Sequence, residues 1–272
     1  MTETTQAGTA TAITVIVLAA QRTGVVNPLA TRANVSHKCL APIRGKALIR
    51  HVMETLVTVP NVEAIRVSVE PEVHAELETV LADYATPDLP ITLIASDENI
   101  VESVVKAAGE TAGPFVITTA DNVLLTRDAV AQVVDAMRDA DAVIGIAREK
   151  NVKAAHPEGQ KNYYGFSDGG IANCTLYGLS SHKAFKAAEV FREGGQFMSN
   201  PGRMVRAFGL LNILLLRAGL MKLHPAMEVL SERLGATVKA VEFEDGALAI
   251  DVDNERTYAC CEELLPGRPP KT

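Results

Sequence analysis

The chain holds no apolar run approaching the roughly 18–20 residues that a membrane span requires, so no spanning helix organises it. Its four cysteines, Cys39, Cys174, Cys260 and Cys261, form no C-x-x-C pair. Adjacent Cys260 and Cys261 make a poor metal clamp, which argues against zinc and for reduced, buried thiols. Six histidines are scattered without H-x-H or H-x-x-E-H spacing, so the common metal-hydrolase patterns are missing. No G-x-G-x-x-G follows the first strand-like run, which disfavours a dinucleotide-dependent dehydrogenase. Positive charge is in deficit: 26 Lys and Arg against 33 Asp and Glu leave a net charge of −7, so nucleic acid is not an expected partner. Residues 1–10 are polar, threonine-rich and carry no apolar leader with a cleavage site, so a mobile tail and a cytoplasmic location are expected.

What is present is a sequence of 272 residues, 47% of them hydrophobic and evenly spread. That suits one domain over 11–265, with an acceptor-side insertion at about 150–235 and a Pro/Gly-rich tail over 266–272. Strand and helix signals alternate through the first half. Strands are expected at Ile13–Ala19, Ala64–Val69, Ile91–Ile94, Pro114–Thr118 and Ala142–Ala147. Helices are expected at Ala47–Thr58, Val73–Tyr84, Ile100–Ala108 and Arg127–Arg138. This alternation predicts a three-layer α/β/α, Rossmann-like fold with a mostly parallel sheet. Beyond Glu149 the pattern changes. Asn151–Tyr163 reads as a loop or lid, and Gly165–Leu179 as two short strands turning at Asp168-Gly169-Gly170. Helices follow at Ser181–Arg192, Gly202–Leu223 and Pro225–Leu234, then strands at Val238–Phe243 and Ala247–Val252 and a last helix at Asn254–Leu265.

The densest information lies between Ile13 and Val52. Ile13-Thr14-Val15-Ile16-Val17-Leu18-Ala19-Ala20 fits a central strand covered on both faces. A polar loop with Gln21, Arg22, Thr23 and Gly24 leaves its carboxyl end, where open α/β sheets bind ligands. Backbone N–H groups there, with Arg22 and Lys38 as cations, suit a polyphosphate. Ser36-His37-Lys38-Cys39-Leu40-Ala41-Pro42-Ile43-Arg44-Gly45-Lys46-Ala47-Leu48-Ile49 follows.

These two stretches resemble the signature of nucleotidyltransferases with a GT-A-like nucleotide-diphospho-sugar transferase fold. That group includes sugar-1-phosphate uridylyltransferases, polyol-phosphate cytidylyltransferases and molybdenum-cofactor guanylyl- and cytidylyltransferases. The second half is similar through Lys38, Leu40, Gly45, Lys46, Leu48 and Ile49. The first half departs: Gln21 stands where a loop glycine is usual, His37 replaces a common proline, and the loop is longer. The resemblance implies transfer of an NMP from an NTP, CTP or GTP favoured, to a phosphorylated sugar, polyol, cofactor or lipid-linked acceptor. Pyrophosphate leaves, and Mg²⁺ assists. By the same resemblance Lys38 would contact the α-phosphate and Arg22 the β- and γ-phosphates; as bare residues both read equally as solvated cations. Leu18, Ala19, Ala20, Gln21, Arg22, Thr23, Gly24, Ser96, Ser103 and Ala120 would line the nucleotide site.

Nucleotidyl transfer brings two anions together, so cations near the α-phosphate and carboxylates for a divalent ion are needed. Asp121 follows a strand directly, at the end where such sheets place functional groups, although Asp-Asn is also an ordinary turn. Asp251 and Asp253, two apart, would project to one face of a strand, and Asp253 alternatively caps the last helix. Ser96 or Asp97 reads as a cap for the helix at Ile100. Tyr163, Tyr164 and Asn173 are acceptor-side candidates in a chain with only five tyrosines, seven phenylalanines and no tryptophan; they read equally as a hairpin's apolar face. Gly202–Leu223 reads as a core helix with snorkelling cations, or as an element making peripheral membrane contact with an amphiphilic acceptor. Two other functions compete: a glycosyltransferase using a nucleotide-sugar, with Asp251-Val252-Asp253 as its D-x-D, and a non-catalytic nucleotide-binding protein.

Overall fold

The computed structural model describes residues 12–21, 27–185, 213, 215 and 218–268. The expected N-terminal tail, Arg22, Thr23 and Gly24, most of the expected helix Ser181–Arg192 and most of Gly202–Leu223 lie outside them.

Seven strands form one sheet: β1 (Ile13–Leu18), β4 (Val62–Val69), β5 (Ile91–Ala95), β6 (Phe115–Thr119), β7 (Ala142–Arg148), β8 (Ile171–Leu179) and β9 (Val238–Phe243). Their order is β5-β4-β1-β6-β8-β7-β9. All neighbours are parallel except at β8, which runs antiparallel to both β6 and β7. The sheet is therefore mostly parallel, as the alternation predicts. β1 lies at its heart, with Leu18 level with Ser68 on one side and Thr119 on the other. Its run ITVIVL is apolar because both faces are covered.

One face packs Val15, Val17, Val116 and Val143 against α2 (Leu48–Leu56), α3 (His74–Leu81), α5 (Arg127–Ala136), α6 (Glu149–Ala155) and α8 (Glu255–Leu264). The other packs Ile16, Phe115 and Ile117 against α4 (Ile100–Ala108) and α7 (Leu223–Leu234). Asn99 caps α4 through the Glu102 amide at 3.0 Å, so neither Ser96 nor Asp97 does. Gly235, at φ 61°, stops α7 in the left-handed conformation that glycine tolerates. No helix among the described residues is long and apolar enough to cross a membrane.

Four expectations need correction. Asn151–Tyr163 is not all loop, since α6 runs to Ala155 and buries Val152 in the core. The two short strands around Asp168 are instead a single bridge, Tyr164 to Ile171, leading into the nine-residue β8. The stretch 150–235 thereby supplies a strand of the central sheet, between β6 and β7. Ala247–Val252 is no strand: Gly246–Ala249 forms a 3-10 turn, and Gly246 sits so close to the α6 backbone at Asn151 that a Cβ would fall 2.1 Å from it. The expected tail is also held as far as Arg268, whose guanidinium pairs with Asp245 and donates to the Leu124 carbonyl.

One further helix lies outside the expected elements. α1 (Pro28–Ala33) starts at Asn27, whose side chain accepts from the Leu29 amide at 2.9 Å, and ends at Asn34 in the left-handed region, φ 53°. Asn-Pro at the start and Asn at the end are its legible signals. It inserts Leu29 into the core and delivers the chain to Lys38. After Lys38, β2 (Pro42–Ile43) and β3 (Lys46–Ala47) make a small hairpin. Its turn, Arg44 at φ 49° and Gly45 at φ 79°, needs two left-handed residues, which explains Gly45 in the motif.

Candidate active site

The strand order reverses beside β1: β4 and β5 extend one way, and β6 lies on the other side. The crevice outside the carboxyl ends of β1 and β6 is the switch point of this sheet, where open α/β folds place ligands. Three chain segments converge there.

The first carries Lys38, opening a 3-10 turn, Lys38–Leu40. The second is the turn after β6. Asp121 is buried there, one oxygen accepting from the Thr119 hydroxyl and the other paired with the Lys38 ammonium. Asn122 is fully buried and donates to Thr118 Oγ1 at 3.2 Å and to the Cys174 carbonyl at 3.1 Å, fastening this turn to β8. The third is the tight turn at Asp251–Asp253, closed by a hydrogen bond from the Asp253 amide to the Asp251 carbonyl at 3.0 Å. Val252 is buried in the core, and the carboxyls of Asp251 and Asp253 both lie within electrostatic reach of Asp121. The strand expected to present these two residues is absent. Asp253 reaches Lys38 Nζ at 3.2 Å with its side chain 61% exposed. Asn254, not Asp253, caps α8, in a capping box with Thr257.

Lys38 is therefore an ammonium held between two carboxylates. Burial alone would lower its pKa, but Asp121 and Asp253 outweigh that and raise it. The carboxyls respond in the other sense. Burial pushes Asp251 well above the ordinary range, and the negative charges of Asp121 and Asp253 add to this. Asp253 is raised by burial and then by Asp121, with Lys38 opposing. One oxygen of Asp251 accepts from the Thr175 hydroxyl, and its Oδ1 is buried without a hydrogen-bond partner. Three crowded carboxylates and one ammonium make a site that favours further positive charge.

Thr175 was not legible. It sits at an irregularity of the β7–β8 ladder, between Ile144 and Ile146, with φ 49°. A β-branched residue in that region is a genuine outlier, and here it turns the hydroxyl onto Asp251.

The remaining candidates divide. Leu18, Ala19, Ala20 and Gln21 leave β1 at the crevice, the Ala19 amide donating to the Ser68 carbonyl at 2.9 Å. Ala120 continues this edge, its amide donating to the Leu18 carbonyl at 2.9 Å. Ser96 lies at the same edge, hydrogen-bonded through its amide to Val69. Ser103 is buried, and its hydroxyl accepts from the Asp97 amide at 2.9 Å, so it holds the loop before α4. Asn173 donates to the Tyr177 hydroxyl. Tyr164 packs near Phe166 and Ile171 on the α7 side of the sheet, whereas Tyr163 packs against the opposite core. The two tyrosines do not form one wall.

Lys38, Asp121 and Asp253 present oxygen donors and one cation position at a strand-end crevice. Among the described residues no three His, Cys, Asp or Glu side chains close into a ready metal cage. Mg²⁺ typically takes one or two carboxylates, water and substrate phosphates, and Asp121 with Asp253 meets that donor chemistry.

A doubly wound α/β fold with a charged crevice at its switch point has the layout of a ligand-binding α/β protein. The profile of the MobA-like NTP transferase domain matches residues 15–251, and the chain belongs to that family of nucleotidyltransferases. Solved structures agree on the fold. A hypothetical transferase from Thermus thermophilus aligns with TM-score 0.71 at 22% identity, over 91% of this chain and 100% of the other. The 4-diphosphocytidyl-2C-methyl-D-erythritol synthase of Anaerococcus prevotii gives 0.58 at 12% identity, over 95% and 100%. A CMP:2-keto-3-deoxy-manno-octonic acid synthetase complexed with CTP gives 0.56 at 15%, over 94% and 99%. The comparison with curated proteins returned no match.

Proposed function

We propose that this transferase moves a nucleoside monophosphate, with CTP the favoured donor and GTP the next, onto a phosphorylated acceptor and releases pyrophosphate. The observation that carries this reading is the Lys38 ammonium set between Asp121 and Asp253 at the carboxyl ends of β1 and β6. The choice of base leans on the names of two structural neighbours, one a diphosphocytidyl synthase and one bound to CTP.

In this reading the acceptor phosphate attacks the α-phosphorus in line. Lys38 releases one carboxylate partner and places its charge on the α-phosphate, where negative charge builds in the transition state. Asp121, oriented by Thr119, and Asp253 would hold Mg²⁺, which neutralises the phosphates when bound. Asp251, fixed by Thr175, stands behind them as a buried hydrogen-bonded carboxyl. Arg22 serves the β- and γ-phosphates. Tyr164 and Asn173 lie on the acceptor side, whose ligand is a sugar, polyol, cofactor or lipid-linked phosphate. The chemistry is positioning and electrostatics, with no covalent intermediate on the protein.

The test is pyrophosphate release from each NTP with Mg²⁺ and a panel of phosphorylated sugars and polyols, beside thermal shifts with the same nucleotides. A ligand at roughly 100 times its Kd adds about 2.7 kcal/mol of stability. Mg²⁺-dependent stabilisation by CTP with acceptor-dependent pyrophosphate release supports the reading. Stabilisation by nucleotide-sugars alone, with no exchange of pyrophosphate into NTP, sinks it in favour of glycosyl transfer.

A further inference from the structure

Two departures from the signature, Gln21 and His37, meet at one acidic residue that no motif contains. Glu70 follows β4 directly, beside the exit of β1. Its Oε1 accepts a hydrogen bond from the Gln21 amide at 2.7 Å, and its buried Oε2, which makes no hydrogen bond, stands at ion-pair distance, 3.3 Å, from Nε2 of the buried His37 ring. The Gln21 side chain in turn donates to the Ser36 carbonyl at 3.1 Å. Both ends of the long connection that precedes Lys38 are thus gathered on one carboxylate, itself only 21% exposed. Its charge also reaches the next turn: burial and then Glu70 push the Cys39 thiol up to about 12. The backbone agrees. His37 has φ −131°, which the φ of about −65° demanded by proline does not reach. A side-chain clamp holds this segment where a rigid ring cannot.

We propose that Glu70 is a positioning residue: by clamping Gln21 and His37 it fixes where the Lys38 ammonium stands relative to Asp121 and Asp253. The inference rests on the transfer reading for the role of Lys38, and on the structure alone for the clamp. Glu70 touches neither nucleotide nor acceptor in this account and acts only through Lys38.

The experiment uses Glu70→Ala and Glu70→Gln in the full chain, alone and with Lys38→Ala. Amide hydrogen exchange is read on the unliganded protein. Glu70→Ala speeds exchange at Gln21 and across Ser36–Leu40, and Glu70→Gln, which keeps an acceptor for the Gln21 amide, recovers the Gln21 protection. Unchanged exchange at both places in Glu70→Ala overturns the clamp, whether or not turnover with any NTP is found. In the turnover assay Glu70→Ala lowers kcat on the order of 10- to 100-fold, as misplacement of a reacting group does, and Glu70→Gln recovers part of it. In the Lys38→Ala background the same change costs less than about threefold, because residues acting through one group are not additive. A full, additive loss in that background overturns action through Lys38.

Discussion

The backbone carbonyl of Asp121 accepts a hydrogen bond from the amide of Val252 at 3.1 Å. This bond joins the turn after β6 to a segment far along the chain, and it brings the carboxyls of Asp251 and Asp253 close to that of Asp121. Val252 is fully buried, and burying such a side chain contributes roughly 1.5–3 kcal/mol, so packing and hydrogen bond together hold the carboxylates in register.

Within that arrangement Asp121 and Asp253 differ in environment, and their variants should differ too. Asp121 is buried and bonded by both Thr119 and Lys38, whereas Asp253 is largely exposed. Asp121→Asn keeps the main chain bond to Val252 but loses half of the charge facing Lys38. Turnover is expected to fall on the order of 100- to 1000-fold, with circular dichroism unchanged. Asp253→Asn should cost less in stability and chiefly raise the Mg²⁺ concentration needed for half-maximal rate. Equal Mg²⁺ requirements in wild type and Asp253→Asn would remove Asp253 from the ion's ligands.

Much of this was legible before the structure, for local reasons. The continuous apolar run of β1, the Asn254 start of α8 and the Gly235 stop of α7 are signals carried within a few residues. Asp121 follows the apolar run of β6, so its place at a strand end is legible, whereas Lys38 opens a 3-10 turn and stands out only through the motif around it. What the sequence hid depends on partners distant in the chain. β8 enters the sheet between β6 and β7, and nothing local announces an antiparallel strand there. Thr175 acquires its role only because a ladder irregularity turns it toward Asp251. The 3-10 turn at Gly246–Ala249 replaces an expected strand because that apolar stretch is clasped against α6, where only glycine fits.

Lys38 carries two roles that a pair of variants separates. Its pKa is raised above the ordinary lysine range, since Asp121 and Asp253 overcome the burial that opposes its charge. It therefore stays cationic at neutral pH, and its stabilising contribution is lost only as alkaline pH passes its native value. Lys38→Ala leaves carboxylates facing one another and should cost on the order of 1–3 kcal/mol, less than for a fully buried pair because Asp253 is exposed. Lys38→Arg restores much of the melting temperature by restoring charge. It should not restore turnover, because a planar guanidinium does not replace a compact ammonium on a phosphate. Recovery of turnover in Lys38→Arg would show that charge alone suffices.

Gly145 governs the distortion that presents Thr175. It lies in β7 at the irregularity of the β7–β8 ladder. A Cβ there would come 2.7 Å from the Phe243 ring and 2.9 Å from the Leu176 carbonyl. The ring is buried and the carbonyl belongs to β8, so neither moves freely. Gly145→Ala is expected to destabilise by about 1–3 kcal/mol and to displace β8 at Thr175. Because the Thr175 hydroxyl then leaves Asp251, turnover should fall further than in Thr175→Ser, which keeps the hydroxyl. Wild-type melting temperature in Gly145→Ala would mean that β8 yields at no cost.

Asp251 gives the pH prediction with a definite sign. Its carboxyl is raised well above the usual range by burial, with Asp121 and Asp253 adding to the effect. The native state therefore binds a proton that the unfolded chain, with an aspartate near pH 3.9, has already released. Stability from this group is present in acid and is lost as pH climbs from about 4 through the raised native value. Asp251→Asn keeps an oxygen to accept from Thr175 and abolishes the titration. The variant should melt above wild type at neutral pH, with the two curves converging toward pH 4. Melting curves of the ligand-free proteins across pH 4–8 decide the matter: a constant offset between them would mean that Asp251 does not titrate on unfolding, and that the crowding of carboxylates at this site is relieved in some other way.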